Sequence, residues 1–95
     1  MAITHNRFFN DTVQSLRFNH GAAGATVGVM LPGTHVFNLT APETMSVVAG
    51  EMSVSINDAP EFVAPAGTVF EAPANSTLQM RCSVDTAYLC QFHPA

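Results

Sequence analysis

The sequence predicts an all-β, antiparallel, jelly-roll-like β-barrel that occupies residues 1–95 as a single domain. Three observations carry that prediction. Short runs of β-branched and aromatic residues recur at roughly ten-residue spacing. Gly, Pro, Asn or Asp closes most of the runs. No segment shows the apolar period of about 3.6 residues that marks an amphipathic helix. A chain of 95 residues buries about two thirds of its unfolded surface, enough for one core. No internal repeat, charge run or low-complexity linker points to a second domain.

The elements follow in order. Residues 13–18 alternate, with Val13, Ser15 and Arg17 against Gln14, Leu16 and Phe18. A Gly/Ala/Asn loop runs from 19 to 24, and a strand over 25–31 is closed by Pro32 and Gly33. Strands over 35–39 and 44–48 flank Ala41 and Pro42, because proline cannot donate to a continuous ladder. Ala49, Gly50 and Glu51 turn the chain into 52–56, and Asn57 to Pro60 is a strong turn signal. Strands over 61–64, 68–72, 77–84 and 87–92 complete a set of about nine. His5 falls in an N-terminal tail and His20 in a loop, both read as solvated.

Composition excludes several classes of function. The chain has no lysine, and Arg7, Arg17 and Arg81 are its fixed cations. A nucleic-acid interface needs a basic stripe that neutralises several phosphates, and a membrane surface makes the same demand. Neither partner fits. Residues 1–9 lack the basic and apolar segments of a leader, and no run approaches the roughly 20 apolar residues of a membrane span. Cys82 and Cys90 lie in apolar strands without CxxC spacing and read as buried reduced thiols, which suits a cytoplasmic protein. Only 11% of residues are charged while 47% are apolar. That leaves apolar surface for a second subunit to cover, and a homodimer is expected.

Two motifs stand out. Gly33, Thr34, His35, Val36 and Phe37 precede Glu43, with six residues between Glu43 and Gly50. Gly67 is followed by five residues to Pro73, then Asn75 and Leu78. This frame resembles that of a metal-binding cupin, which would carry His at 37 and 78 in addition to His35 and Glu43. A cupin-type barrel is implied, with its ligand set eroded. Side-chain alternation then places Phe37, Met45, Val47, Met80 and Cys82 in the lumen beside His35, Glu43 and Leu78, and turns Arg81 outward. Two ligands fall short of the three or more that an iron or manganese centre uses, and His93 lies close to the chain end. No metal is expected.

Further matches narrow the resemblance: Phe8-Phe9-Asn10, Val27-Gly28-Val29-Met30, Glu43 through Gly50, Ala66 through Phe70 with Pro73, and Tyr88-Leu89-Cys90. Collinear over residues 8–92, they resemble the pyrimidine/purine nucleoside phosphorylase family of small bacterial cupins. The resemblance implies phosphorolysis, in which a nucleoside and inorganic phosphate give free base and α-D-ribose 1-phosphate, with no cofactor. It also implies basic residues that are missing here. Thr12 and Gln14 stand where lysines are common in the family, Ala23 and Gly24 where a basic residue precedes the segment matching Ala25 to Met30, and Gln91 where one can follow the cysteine.

Such a reaction develops positive charge on the ribosyl ring, and a carboxylate in an apolar cavity stabilises it. Glu43 is the catalytic candidate for that task. His35 is the candidate donor to the leaving base, since imidazole titrates near neutral pH. Phe37, Phe70 and Tyr88 offer a base-tolerant aromatic wall. For phosphate the candidates are backbone N–H groups in the 21–24 loop and Arg81, the latter more naturally a surface residue. A non-catalytic small-molecule-binding cupin and a metal-dependent cupin enzyme are the competing readings.

Overall fold

Corners rich in Gly, Pro, Asn and Asp divide the chain into ten strands: β1 (Thr4–Phe8), β2 (Val13–Phe18), β3 (Ala25–Met30), β4 (Gly33–Asn38), β5 (Glu43–Ala49), β6 (Glu51–Ile56), β7 (Phe62–Pro65), β8 (Val69–Ala72), β9 (Thr77–Cys82) and β10 (Thr86–Phe92). The structure, a computed structural model, describes residues 3–94. Met1 and Ala2, which begin the stretch searched for a leader, lie outside those residues, as does Ala95.

Pairing is nested and antiparallel throughout. β3 pairs with β10, β4 with β9, β5 with β8 and β6 with β7. That nesting is a jelly roll. It forms a six-stranded sheet in the order β1-β2-β3-β10-β5-β8 and a four-stranded sheet in the order β4-β9-β6-β7. The two sheets share no ladder, so the expected barrel is a two-layer sandwich with open seams.

The N-terminal segment departs from expectation. Thr4–Phe8 is a strand, paired from Thr4↔Arg17 to Phe8↔Val13, which brings the total to ten and places His5 in a sheet. Its sequence THNRF offers only Thr4 and Phe8, at its two ends, as strand formers, and is mostly exposed. Its order comes from the ladder along β2, which no local pattern records. Polar Asn6 and Arg7 suit an edge strand, where charge discourages further pairing.

The hairpin that follows is unusual. Phe9, Asn10 and Asp11 all have positive φ, at 51°, 54° and 67°, a region sparsely used by residues other than glycine. The Thr12 amide and hydroxyl both donate to the Phe9 carbonyl, at 3.2 and 2.7 Å, and hold the turn closed. Asn57 and Asp58, at 53° and 61°, form the type I′ turn between β6 and β7, with Ala59 N donating to Ile56 O at 3.1 Å. Between the sheets lie Val13, Met30, Met52, Val54, Leu78 and Met80, all essentially buried. Burying a side chain of this kind stabilises the fold by about 1.5–3 kcal/mol.

Candidate active site

The site is built on the inner face of the six-stranded sheet, where strand register sets which residues are neighbours. One row reads Asn6, Ser15, Gly28, Tyr88 and Val47 across β1, β2, β3, β10 and β5. The next reads Arg17, Thr26, Cys90 and Met45, and Phe92 pairs with Glu43 beyond it. Gly28 is required by close approach: a Cβ there would lie 2.6 Å from the Tyr88 ring. Its absence lets the ring lie across β3 and the hydroxyl hydrogen-bond with Ser15.

Opposite stand Phe37, Asn38, Leu78 and Met80 of the four-stranded sheet, with Leu39 and with Phe8 of β1 completing the lining. Together these walls enclose a partly open cavity of about 200 Å³. Phe8 and Phe9 both meet Phe37 edge-on, with centroids 5.3 Å apart in each case.

Electrostatics centre on Glu43. Its half-buried carboxylate accepts a hydrogen bond from the Cys90 thiol, with Sγ 2.9 Å from Oε1. Burial pushes the carboxyl above its ordinary range, and the thiol bond opposes that shift in part. Burial, then the bond to Glu43, pushes the Cys90 thiol up, so it stays protonated and serves as a donor. Burial also pushes the Tyr88 hydroxyl up to about 12, with a smaller contribution from Cys90. Arg17, half-buried at the cavity, donates from Nη2 to the Ala23 carbonyl at 2.7 Å and lies 4.7 Å from the centre of the Phe92 ring.

Of the residues singled out from sequence, Glu43, Phe37 and Tyr88 come together in the cavity. His35 faces inward and is 4% exposed, but it is not part of the lining. Its Nε2 is 2.9 Å from the Leu31 carbonyl and its ring stacks near Phe9. Phe70 packs edge-on against Phe62, also away from the lining. Arg81 points outward between buried Met80 and Cys82 and makes a two-pronged bond to Glu61, at 2.7 and 3.3 Å. His93 is anchored, with its amide donating to Pro42 O at 3.0 Å and its ring 2.7 Å from Thr44 Oγ1. In the 21–24 loop, Ala23 presents a carbonyl to Arg17.

A metal does not fit this lining. Among the described residues no three His, Cys, Asp or Glu side chains converge. Phe37 and Leu78 occupy the positions where the metal-binding motif would carry His. Cys82 and Cys90 are both free and buried. Arg17, Ser15, Thr26 and Cys90 are among the cavity residues to which the sequence reading gave no role at the site. Alternation puts Ser15 and Arg17 on one face with Val13, and the burial of Val13 identifies that face as the inner one.

A jelly roll with a cavity between its sheets, and with the cupin motif spacing, defines a cupin-type protein. The family model described as pyrimidine/purine nucleoside phosphorylase matches residues 3–92. The chain is 42% identical over 88 residues to the pyrimidine/purine nucleoside phosphorylase of Pseudomonas fluorescens, covering 92% of this chain and 94% of the relative. It is 42% identical over 94 residues to that of Vibrio cholerae, covering 98% and 99%. A crystal structure of a Vibrio parahaemolyticus protein of unknown function superposes with a TM-score of 0.89 at 37% identity, covering 95% of this chain and 97% of the other. The chain belongs to the pyrimidine/purine nucleoside phosphorylase family.

Proposed function

We propose that this chain is a broad-specificity nucleoside phosphorylase that converts a nucleoside and inorganic phosphate into free base and α-D-ribose 1-phosphate without a metal. Beyond family membership, the observation that carries the reading is a carboxylate held by a thiol donor in a largely apolar cavity. As the glycosidic bond lengthens, its electron pair leaves with the base and positive charge builds on the ribosyl ring. Ionised Glu43 stabilises that charge, and the low local dielectric strengthens the attraction. Phosphate closes the new C–O bond on the opposite side. The proton gained by the base balances the one that phosphate loses.

Tyr88 remains protonated throughout the physiological range and lines the cavity, so its hydroxyl replaces His35 as the candidate donor to the departing base. Phe37, with Phe8, supplies an aromatic surface that tolerates many bases. The side chains around Glu43 support metal-free chemistry, since Phe37 and Leu78 of the lining stand where the metal-binding motif would carry His.

The expected assembly is a homodimer. Leu16, Val27, Val29 and Leu31 are exposed around a groove on the outer face of the six-stranded sheet, and the lining there includes His5 and Asp11. A self-matching face of this kind, on a chain with few charges, suits a second copy. Light scattering that gives a monomer mass would rule it out. The two free thiols suit a cytoplasmic location.

The reaction is tested with metal-stripped protein, inosine and uridine, with and without phosphate. Free base that appears only with phosphate, matched by ribose 1-phosphate, is the expected result. Absence of turnover across a wider nucleoside panel would favour a binding protein, and turnover restored only by added metal would favour a metal-dependent enzyme.

A further inference from the structure

The three arginines are this chain's fixed positive side chains, and they are placed in different ways. Arg7 lies 3.5 Å from Asp11 and Arg81 lies 2.7 Å from Glu61, both on the surface. Arg17 is half-buried at the cavity, and no carboxylate pairs with it among the described residues. Its hydrogen bond to the Ala23 carbonyl and its packing on Phe92 fix the guanidinium without neutralising it. Gly24 provides the space, since a Cβ at that position would lie 2.9 Å from Nη2.

Arginine carries five N–H donors, and the bond to Ala23 uses one of them. The remainder form a rigid fork suited to a tetrahedral oxyanion. Neutral donors stand nearby in the lining: Thr26 pairs directly with Arg17 across the β2–β3 ladder, and Asn6 pairs with Ser15 one row away. Glu43 does not consume the charge. It stands on β5 and forms no ion pair with Arg17, whose guanidinium lies over Phe92, the cross-strand partner of Glu43. Burial dominates its carboxyl, and Cys90 is the partner that draws it down.

We infer that Arg17 is the phosphate-binding residue, receiving inorganic phosphate in the cavity that it shares with Glu43. The role of that phosphate as co-substrate rests on the phosphorylase reading, whereas the oxyanion site itself rests on the unpaired guanidinium.

Two measurements on the full chain test the inference: inorganic phosphate binding by calorimetry or ³¹P line broadening, and the Michaelis constants for phosphate and for uridine. Arg17→Gln is expected to raise the phosphate constant by about 10- to 100-fold, the usual range for losing a charge-assisted bond, and to leave the uridine constant within about threefold. Arg17→Lys should recover part of the loss, and Arg7→Gln, a surface control, should match the parent. Where Arg17→Gln does not fold, Arg17→Met keeps an unbranched stem without the charge and is read in the same way.

A folded Arg17 variant with parental phosphate binding and an unchanged phosphate constant overturns the inference, even if the enzyme is active. Phosphate binding that depends on Arg17 in a protein that releases no base would sustain the site and overturn the phosphorylase reading instead. A parent protein that neither binds phosphate nor turns over would overturn both.

Discussion

On the inner face of the six-stranded sheet the cavity meets Ser15, Arg17, Thr26, Glu43, Tyr88 and Cys90. On the inner face of the four-stranded sheet it meets Phe37, Leu78 and Met80, with Asn38 the one polar residue of that wall. The wide sheet can hold polar groups because neighbouring groups satisfy one another. Tyr88 bonds Ser15, Cys90 bonds Glu43, and Arg17 bonds Ala23. Among the described residues no buried side-chain nitrogen or oxygen lacks a partner, which is the condition for burying polarity without a large penalty. The narrow sheet supplies shape. Three of the four motif positions that would hold a metal, 35, 37 and 78, lie on that narrow sheet.

The largest expected effect comes from Glu43→Gln, which tests whether the wide sheet carries the reaction. Turnover should fall by about 100-fold or more, as when one charge-stabilising group is removed, and a folded variant with parental activity would remove Glu43 from the mechanism. The same substitution should raise stability. The folded carboxyl is shifted up from its ordinary 4.5, so above about that pH the folded state binds more protons than the unfolded state. Stability therefore falls as pH rises through the interval between the unfolded and folded pKa values, and stays lower above it. Thermal melts against pH should show that decline in the parent and a flatter profile in the variant; identical profiles would deny that Glu43 is held against its preference.

Leu78→Ala tests the other wall. Leu78 is 1% exposed, so truncation should cost about 2–5 kcal/mol in denaturant unfolding. The nucleoside constant should rise while the pH profile of turnover keeps its shape. A shifted pH profile would mean that the narrow sheet also sets the electrostatics. Tyr88→Phe is the smallest change, removing the hydroxyl bonded to Ser15. It should cost about 1 kcal/mol and lower turnover without altering the phosphate constant. Unchanged turnover would leave the departing base to water.

Much of this division was legible in the sequence. Turn chemistry marked nine of the ten strands, and period-two alternation correctly turned Phe37, Met45, Val47, Leu78, Met80 and Cys82 inward. What remained hidden has physical causes. β1 is a polar edge strand whose order comes from its partner. In β2 apolar residues occupy both faces, Val13 on one and Leu16 and Phe18 on the other, so alternation alone could not orient Arg17. Leu16 proves to be 44% exposed. His35 shows a different limit, because alternation tells inside from outside but not how far along the sandwich a side chain lies. The resemblance asked for a basic group before Ala25, and the cation beside Gly24 arrives from the neighbouring strand.

The nested pairing bears on how the protein comes into being on the ribosome. β10, the last of the ten strands to emerge, belongs in the middle of the wide sheet between β3 and β5. Until it inserts, that sheet is two fragments with facing open edges, and neither Tyr88 nor Cys90 is present to furnish the floor. Non-local closures of this sort are slow steps in folding. The strand that completes the sheet also completes the cavity.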